Sequence, residues 1–152
     1  MSAGAPNYSR GDGSRGDESR WDTAALRAGA GVCLLIAVPL TVIAAIVDSD
    51  DGAVQALFFF GAMAGFVVGG GCAAWVERRG TPMSHSVVTT GGTYLATQAV
   101  FVVIRLLSGR DVNWFGVFFT LGLVLLAGVI GGVLGARLQA SGFTPSTRSD
   151  HP

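Results

Sequence analysis

Charge is scarce in this 152-residue chain, and lysine is absent. Only 13% of the residues are charged, whereas an ordinary soluble domain is about one quarter charged. The ten basic residues are all arginine, and ten acidic residues balance them to a net charge of zero. This balance removes the electrostatic case for nucleic-acid binding, and the low charge content argues against an ordinary soluble enzyme.

Side chains that carry common chemistry are also few. The two cysteines, Cys33 and Cys72, form no CxxC motif and no cluster with histidine, so we expect small apolar core residues and not a redox or metal site. A calcium loop that began at Asp48 would have Ala53 at position six and Phe59 at position twelve, where an EF-hand needs glycine and glutamate. No nucleophile, base and oxyanion donor can be assembled. The sequence therefore predicts no catalytic residue, no metal, no cofactor and no enzymatic activity.

Four long runs without charge divide the chain. The first holds 20 residues, from Arg27 to Asp48, and each of the next three holds 25 residues. A helix of about 20 apolar residues crosses the hydrocarbon core of a bilayer. A water-soluble bundle would need polar outward faces, and the stretches Leu34–Val47 and Phe58–Ala74 have almost no polar residues. The sequence predicts an all-α polytopic membrane protein, an antiparallel bundle of four transmembrane helices at about 25–47, 53–76, 85–107 and 114–137.

Polar segments flank this transmembrane domain, which we assign to residues 24–138. The N-terminal segment, residues 1–23, repeats Ser-Arg-Gly-Asp, and its small residues and alternating charges cannot build a core. We therefore predict a disordered N-terminal tail and, over residues 139–152, a flexible C-terminal tail.

The arginines predict the orientation of the helices. With four spans, eight of the ten arginines fall on the side of the two termini, and only Arg105 and Arg110 fall on the other. The sequence therefore predicts a plasma-membrane protein, and the positive-inside rule places both of its termini in the cytoplasm. Trp75 and Trp114 lie at predicted helix ends, where aromatic anchors are common.

The third predicted span is the most polar, although no Asp, Glu or Lys lies inside any span. That absence argues against a proton-coupled transporter, which usually needs a titratable group near the membrane midplane. Helical periodicity places the hydroxyl residues of this span on one face, beside a second polar stripe. These side chains either line a water-filled path or bond to neighbouring helices and their own backbone. Ser86 begins the hydroxyl stripe, and the candidate polar path comprises Thr90, Thr93, Thr97, Gln98 and Arg105.

Glycines recur at spacings that let helices approach closely. The second span carries two overlapping GxxxG motifs, and the fourth carries two more. We predict that the cytoplasmic halves of these two spans touch through their glycines, within one protomer or between two. The helix-packing candidates are Gly61, Gly65, Gly69, Gly128, Gly131, Gly132 and Gly135.

The same glycines contribute to a family resemblance over Gly69 to Arg137. The motifs are a glycine cluster at the end of helix two, a basic turn with a histidine before helix three, and a G-x-x-G-G-x-x-G run in helix four. The matching residues are Gly69, Gly70, Gly71, Arg78, Arg79, His85, Gly128, Gly131, Gly132 and Gly135. In these motifs the chain resembles small uncharacterised four-helix membrane proteins of Gram-positive bacteria, including actinobacteria. The resemblance implies the same architecture and brings no known activity.

Two functional hypotheses follow. The first is a non-enzymatic integral membrane protein that acts by association, as a small subunit, adaptor or envelope-assembly factor. Its partners would be the lipid bilayer, a second copy of the chain or another membrane protein, and no nucleic acid. The second is an oligomeric channel or small-solute transporter whose path is lined by helix three. The orientation of the helix-three hydroxyls discriminates between them.

Overall fold

A computed structural model of the protein describes residues 21–47, 51–78 and 80–143. Over these ranges the chain forms four helices, α1 (Thr23–Val47), α2 (Gly52–Val76), α3 (Pro82–Leu107) and α4 (Trp114–Ala140). Each is long and apolar enough to cross a membrane, which confirms the all-helical class and the number of candidate spans. The predicted tails lie outside the described residues over 1–20 and 144–152.

Local capping sets the helix ends. Asp51 and Asn113 precede α2 and α4, and each side chain accepts a hydrogen bond from a backbone N–H of the first turn. Helix α3 begins at Pro82, three residues before the predicted start, because proline has a helical φ and the first turn needs no N–H donor from it. Helix α4 continues past the predicted end at 137 to Ala140, and Gly142 with a φ of 81° turns the chain there.

The helices form a four-membered ring in the order α1, α2, α4, α3. Helix α2 packs along both α1 and α4, and α3 also contacts both of these helices. Helices α2 and α3 touch across the ring, whereas α1 and α4 share no contact within the described part of the chain. The ring is therefore flattened, with α2 and α3 at its centre.

The seam between α1 and α2 is built on glycines from both helices. A Cβ added at Gly29 would lie 2.6 Å from Ala73 Cβ, and one added at Gly65 would lie 2.8 Å from Ile36 Cγ2. Gly69 lies against Cys33. The overlapping GxxxG motifs of α2 thus face α1. This differs from the prediction that Gly65 and Gly69 would face α4.

The seam between α2 and α4 uses a different face of α2. A Cβ at Gly131 would lie 2.8 Å from the backbone nitrogen of Gly71, and one at Gly135 would lie 3.0 Å from that of Trp75. The two backbones are therefore in near contact, and any side chain larger than hydrogen would separate them.

The three consecutive glycines of α2 explain how one helix serves all its neighbours. Gly69 faces Cys33 of α1, Gly70 faces Ser86 of α3, and Gly71 faces Gly131 of α4. Successive residues of a helix point about 100° apart, so three glycines in a row leave most of the helix circumference free of side chains at one level. At this level all the other helices close onto α2.

Candidate functional site

We call the half of the ring near Trp21, the α2–α3 connection and Phe143 the proximal half, and the half near the α1–α2 and α3–α4 connections the distal half. Contacts between Trp21 and His85 and between Trp75 and Phe143 join the helix ends of the proximal half. The polar residues of α3 behave differently in the two halves.

In the proximal half the hydroxyls of α3 are sealed by packing. Ser86 and Thr90 are fully buried. Ser86 Oγ donates to the Gly128 carbonyl at 2.5 Å, and Thr90 Oγ1 donates to the Ser86 carbonyl at 3.1 Å. A Cβ at Gly132 would lie 3.1 Å from Ser86 Cβ, so α4 covers this face directly. These two hydroxyls satisfy backbone carbonyls and line no path.

In the distal half the helices separate around a partly open cavity of about 440 Å³, to which all four contribute residues. We call it the distal cavity. Four members of the candidate polar path line it, whereas Thr90 does not. The lining members are Thr93, Thr97, Gln98 and Arg105. The polar stripe of α3 thus faces open space from Thr93 onward and is closed one turn before it.

The cavity wall is part aromatic and part polar. Rings from α2 and α3 line it, and so do amides from α2, α3 and the residue before α4. The aromatic residues are Phe58, Phe59, Phe66, Tyr94 and Phe101, and the amides are Gln55, Gln98 and Asn113. Such a mixture of apolar wall and few polar groups is typical of small-molecule sites.

Several hydroxyl protons of this wall are already engaged. Thr97 Oγ1 donates to the Thr93 carbonyl at 2.9 Å, and Tyr94 Oη donates to the Val117 carbonyl at 2.9 Å. Each of these oxygens therefore offers the cavity lone pairs and no proton. Further donors toward a ligand come from the amides and from Arg105.

Arg105 is the one charged residue among the described residues that line the cavity. It lies in the last turn of α3, where its side chain is exposed. No ion pair joins it to another residue in the described ranges. Asp51 and Asp111, the acidic residues of the described distal connections, do not line the cavity. Within the described part of the chain, the charge that lines the distal cavity is therefore that of Arg105.

The proximal end is closed by a second polar cluster, centred on His85. This side chain is fully buried. The backbone N–H of Asp22 donates to Nε2 at 2.9 Å, and Nδ1 lies 3.0 Å from the Thr81 carbonyl. Because a backbone N–H can only donate, Nε2 is the acceptor and Nδ1 carries the proton that it donates to Thr81. The imidazole ties the start of α1 to the start of α3.

Helix α4 is fastened to the same end by its last residues. The Gln139 side-chain amide donates to the carbonyls of Trp75 at 2.8 Å and Glu77 at 2.6 Å. The indole N–H of Trp75 donates to the Phe143 carbonyl. Gln139 and Phe143, which lie within the predicted C-terminal tail, thus contact the end of α2.

The two cysteines fall on the α1–α2 side of the molecule, and both are free. Cys33 is buried against Gly69 and also lines the distal cavity, whereas Cys72 is partly buried. No group of three or more His, Cys, Asp or Glu side chains that suits a metal ion occurs in the described part of the chain.

Comparison with family models, curated proteins and solved structures finds no match to this chain. The resemblance to small four-helix proteins of Gram-positive bacteria stays a prediction that rests on the glycine and His85 motifs.

Sequence reasoning named the α3 side of the cavity and missed the α2 and α4 sides. Gln55 is the one amide side chain in the second predicted span, and a lone amide in an apolar span signals a polar partner or cavity. Asn113 stands directly before the fourth span, where it serves both as the N-cap of α4 and as a lining residue. The aromatic wall carried no sequence signal, because phenylalanine is equally common on lipid-facing surfaces.

Proposed function

We propose that this chain is a multi-pass protein of the plasma membrane, with its four helices antiparallel and both termini in the cytoplasm. The register of the α1–α2 contacts supports opposite directions, since Gly29 meets Ala73 whereas Gly61 meets Leu40. The arginine distribution supports the orientation, with eight of ten on the side of the termini. In this orientation the distal cavity lies in the outer half of the membrane.

We further propose that the protein binds a small solute in the distal cavity from the outside. One observation carries this proposal: Thr93, Thr97, Gln98 and Arg105 converge on a cavity of about 440 Å³, within the ~300–1,000 Å³ range of ligand pockets. The proximal half is closed by Ser86, Thr90 and their glycine partners. An outward-facing binding site fits this shape, as in a solute transporter captured in one state or a solute sensor.

Action by association stays a prediction, but the glycines no longer argue for an external partner. Gly128, Gly131, Gly132 and Gly135 are all buried and contact α2 or α3 of the same chain. The small residues that suggested a surface for a second protein are therefore occupied within one protomer.

Cysteine labelling tests whether the cavity is open to the outside. The matched pair is Thr97→Cys and Thr90→Cys. Because these positions are seven residues apart, they lie on nearly the same face of α3. Both are made in a Cys33→Ala/Cys72→Ala background, in right-side-out vesicles exposed to a small membrane-impermeant thiol reagent. Thr97→Cys should react, and Thr90→Cys should stay unreactive until the membrane is dissolved in denaturing detergent. Equal reaction at both positions, or none at Thr97→Cys, would overturn the proposal.

A further inference from the structure

The charge and donor pattern of the distal cavity points to a class of ligand. We propose that the cavity takes an amphipathic anion, with its acidic head group at Arg105 and its apolar part between the rings of α2 and α3. This inference rests on the proposed function, because it requires the cavity to be open to a solute.

The head-group end is defined by donors. The guanidinium of Arg105 presents a planar set of N–H groups that matches carboxylate and phosphate oxygens. The side-chain amides of Gln98 and Asn113 line the same cavity. The side-chain oxygen Oδ1 of Asn113 accepts from the Gly116 backbone N–H at 3.0 Å, so the side-chain NH₂ group is the part left for a ligand. Acceptor-rich anionic groups satisfy these donors, whereas an ammonium group would face the positive charge of Arg105.

The apolar end is defined by Phe58, Phe66 and Met63 of α2 and by Ala37 of α1, all of which line the cavity. Aromatic faces also attract cations, so a cationic ligand is the competing solution. A cation site of this kind is usually completed by a carboxylate. No Asp or Glu lines the cavity among the described residues, and the charge present is that of Arg105. The wall therefore favours an anion over a cation.

The sign of the potential can be measured before any natural ligand is known. Thr97→Cys, in the same cysteine-free background, is treated separately with an anionic and a cationic methanethiosulfonate of similar size. Eight helical residues separate Thr97 from Arg105, a rise of about 12 Å. At that distance a unit charge at an effective dielectric constant near 20, screened by ~0.15 M salt, changes the ratio of the two rates about threefold.

Arg105→Gln should therefore lower the ratio of anionic to cationic labelling by about threefold. Arg110→Gln is the matched control, because Arg110 is exposed on the α3–α4 connection and does not line the cavity. It should leave the ratio near that of the parent. A ratio that Arg105→Gln does not change would overturn the assignment of the head group to Arg105.

Ligand protection tests the amphipathic part. In phosphatidylcholine nanodiscs, labelling of Thr97→Cys by uncharged methyl methanethiosulfonate is measured with octanoate and with octylammonium. Octanoate should slow the reaction at least about threefold more than octylammonium, and Arg105→Gln should remove the difference. If labelling without octanoate is slower in phosphatidylglycerol nanodiscs than in phosphatidylcholine nanodiscs, the cavity binds an amphipathic anion that is supplied by the anionic lipid.

The failures are distinguishable. If Thr97→Cys does not react at all in intact membranes, the proposed function fails and no ligand can be assigned. If it reacts but octylammonium protects as well as octanoate, the cavity stands and the anion proposal is overturned.

Discussion

The sharpest stability prediction concerns Gly131, where α4 meets α2 at backbone distance. A Cβ at this position would lie 2.8 Å from the Gly71 nitrogen and also against the Val67 carbonyl, whereas ordinary van der Waals contacts are 3.4–4 Å. Backbone atoms cannot turn aside as a flexible side chain can. Gly131→Ala must therefore push the two helices apart by about half an ångström or more.

The magnitude follows from two opposing effects. Overpacking of this kind typically costs about 1–3 kcal/mol, whereas replacing glycine by alanine inside a helix gains about 0.5–1 kcal/mol. Gly122→Ala is the matched control: it lies on the same helix, is exposed, and would place its Cβ in open space. Both variants share the gain in helix propensity. Their difference in unfolding free energy is then the packing effect alone, about 1–3 kcal/mol.

The assay is unfolding of the purified protein in mixed micelles by titration with sodium dodecyl sulfate, followed by tryptophan fluorescence. Trp75 is a suitable reporter because its backbone lies in the same seam. Gly122→Ala should match or exceed the parent, and Gly131→Ala should be less stable than either. Equal stability of the two variants would refute the close approach of α2 and α4.

Three further predictions follow from the topology and the proximal cluster. Reporter fusions at Gly52 and Gly80 should lie on opposite sides of the membrane, and finding both on one side would contradict the four-span topology. His85→Phe keeps an aromatic ring but leaves the Asp22 N–H without its acceptor, at a cost of about 1–3 kcal/mol; hydrogen exchange at the start of α1 should accelerate, while exchange in α4 should not. Gln139→Ala frees two carbonyls at the end of α2 and should increase protease cleavage after Ala140; Gln55→Ala, far from that contact, should not.

The four helices were predictable because the spacing of charges directly reports the length of an apolar run. The predicted start of α3 was less accurate, because charge spacing does not report the local signal of a proline. Pro82 is a favoured residue of the first helical turn, yet the third span was predicted to begin at His85.

The sequence predicted the polar stripe of α3 but not which of its residues line the cavity, as Thr90 and Thr97 show. Seven residues apart, they lie on nearly one face of α3, and both hydroxyls bond to the carbonyl four residues earlier. No periodicity can separate them. What separates them is the approach of Gly70 and Gly128 to Thr90, which is decided by the packing of three helices.

The glycine seams show a similar limit. The GxxxG spacing indicated that α2 would pack closely against a neighbour but did not indicate which one. The repeat from Gly61 to Gly69 faces α1, and the step to Gly71 turns the next contact toward α4. A repeat fixes a face of a helix, whereas its partner depends on how the other helices arrange.

Water-edited solid-state NMR of the wild-type protein in lipid bilayers is the most direct test of an outward-open cavity above a closed proximal half. The experiment measures how fast magnetisation passes from water protons to each residue, with no substitution and no ligand. An open distal cavity predicts fast transfer to Thr93, Thr97 and Gln98 and slow transfer to Ser86 and Thr90. Equally slow transfer to all five residues, or fast transfer to Ser86 and Thr90, would contradict it.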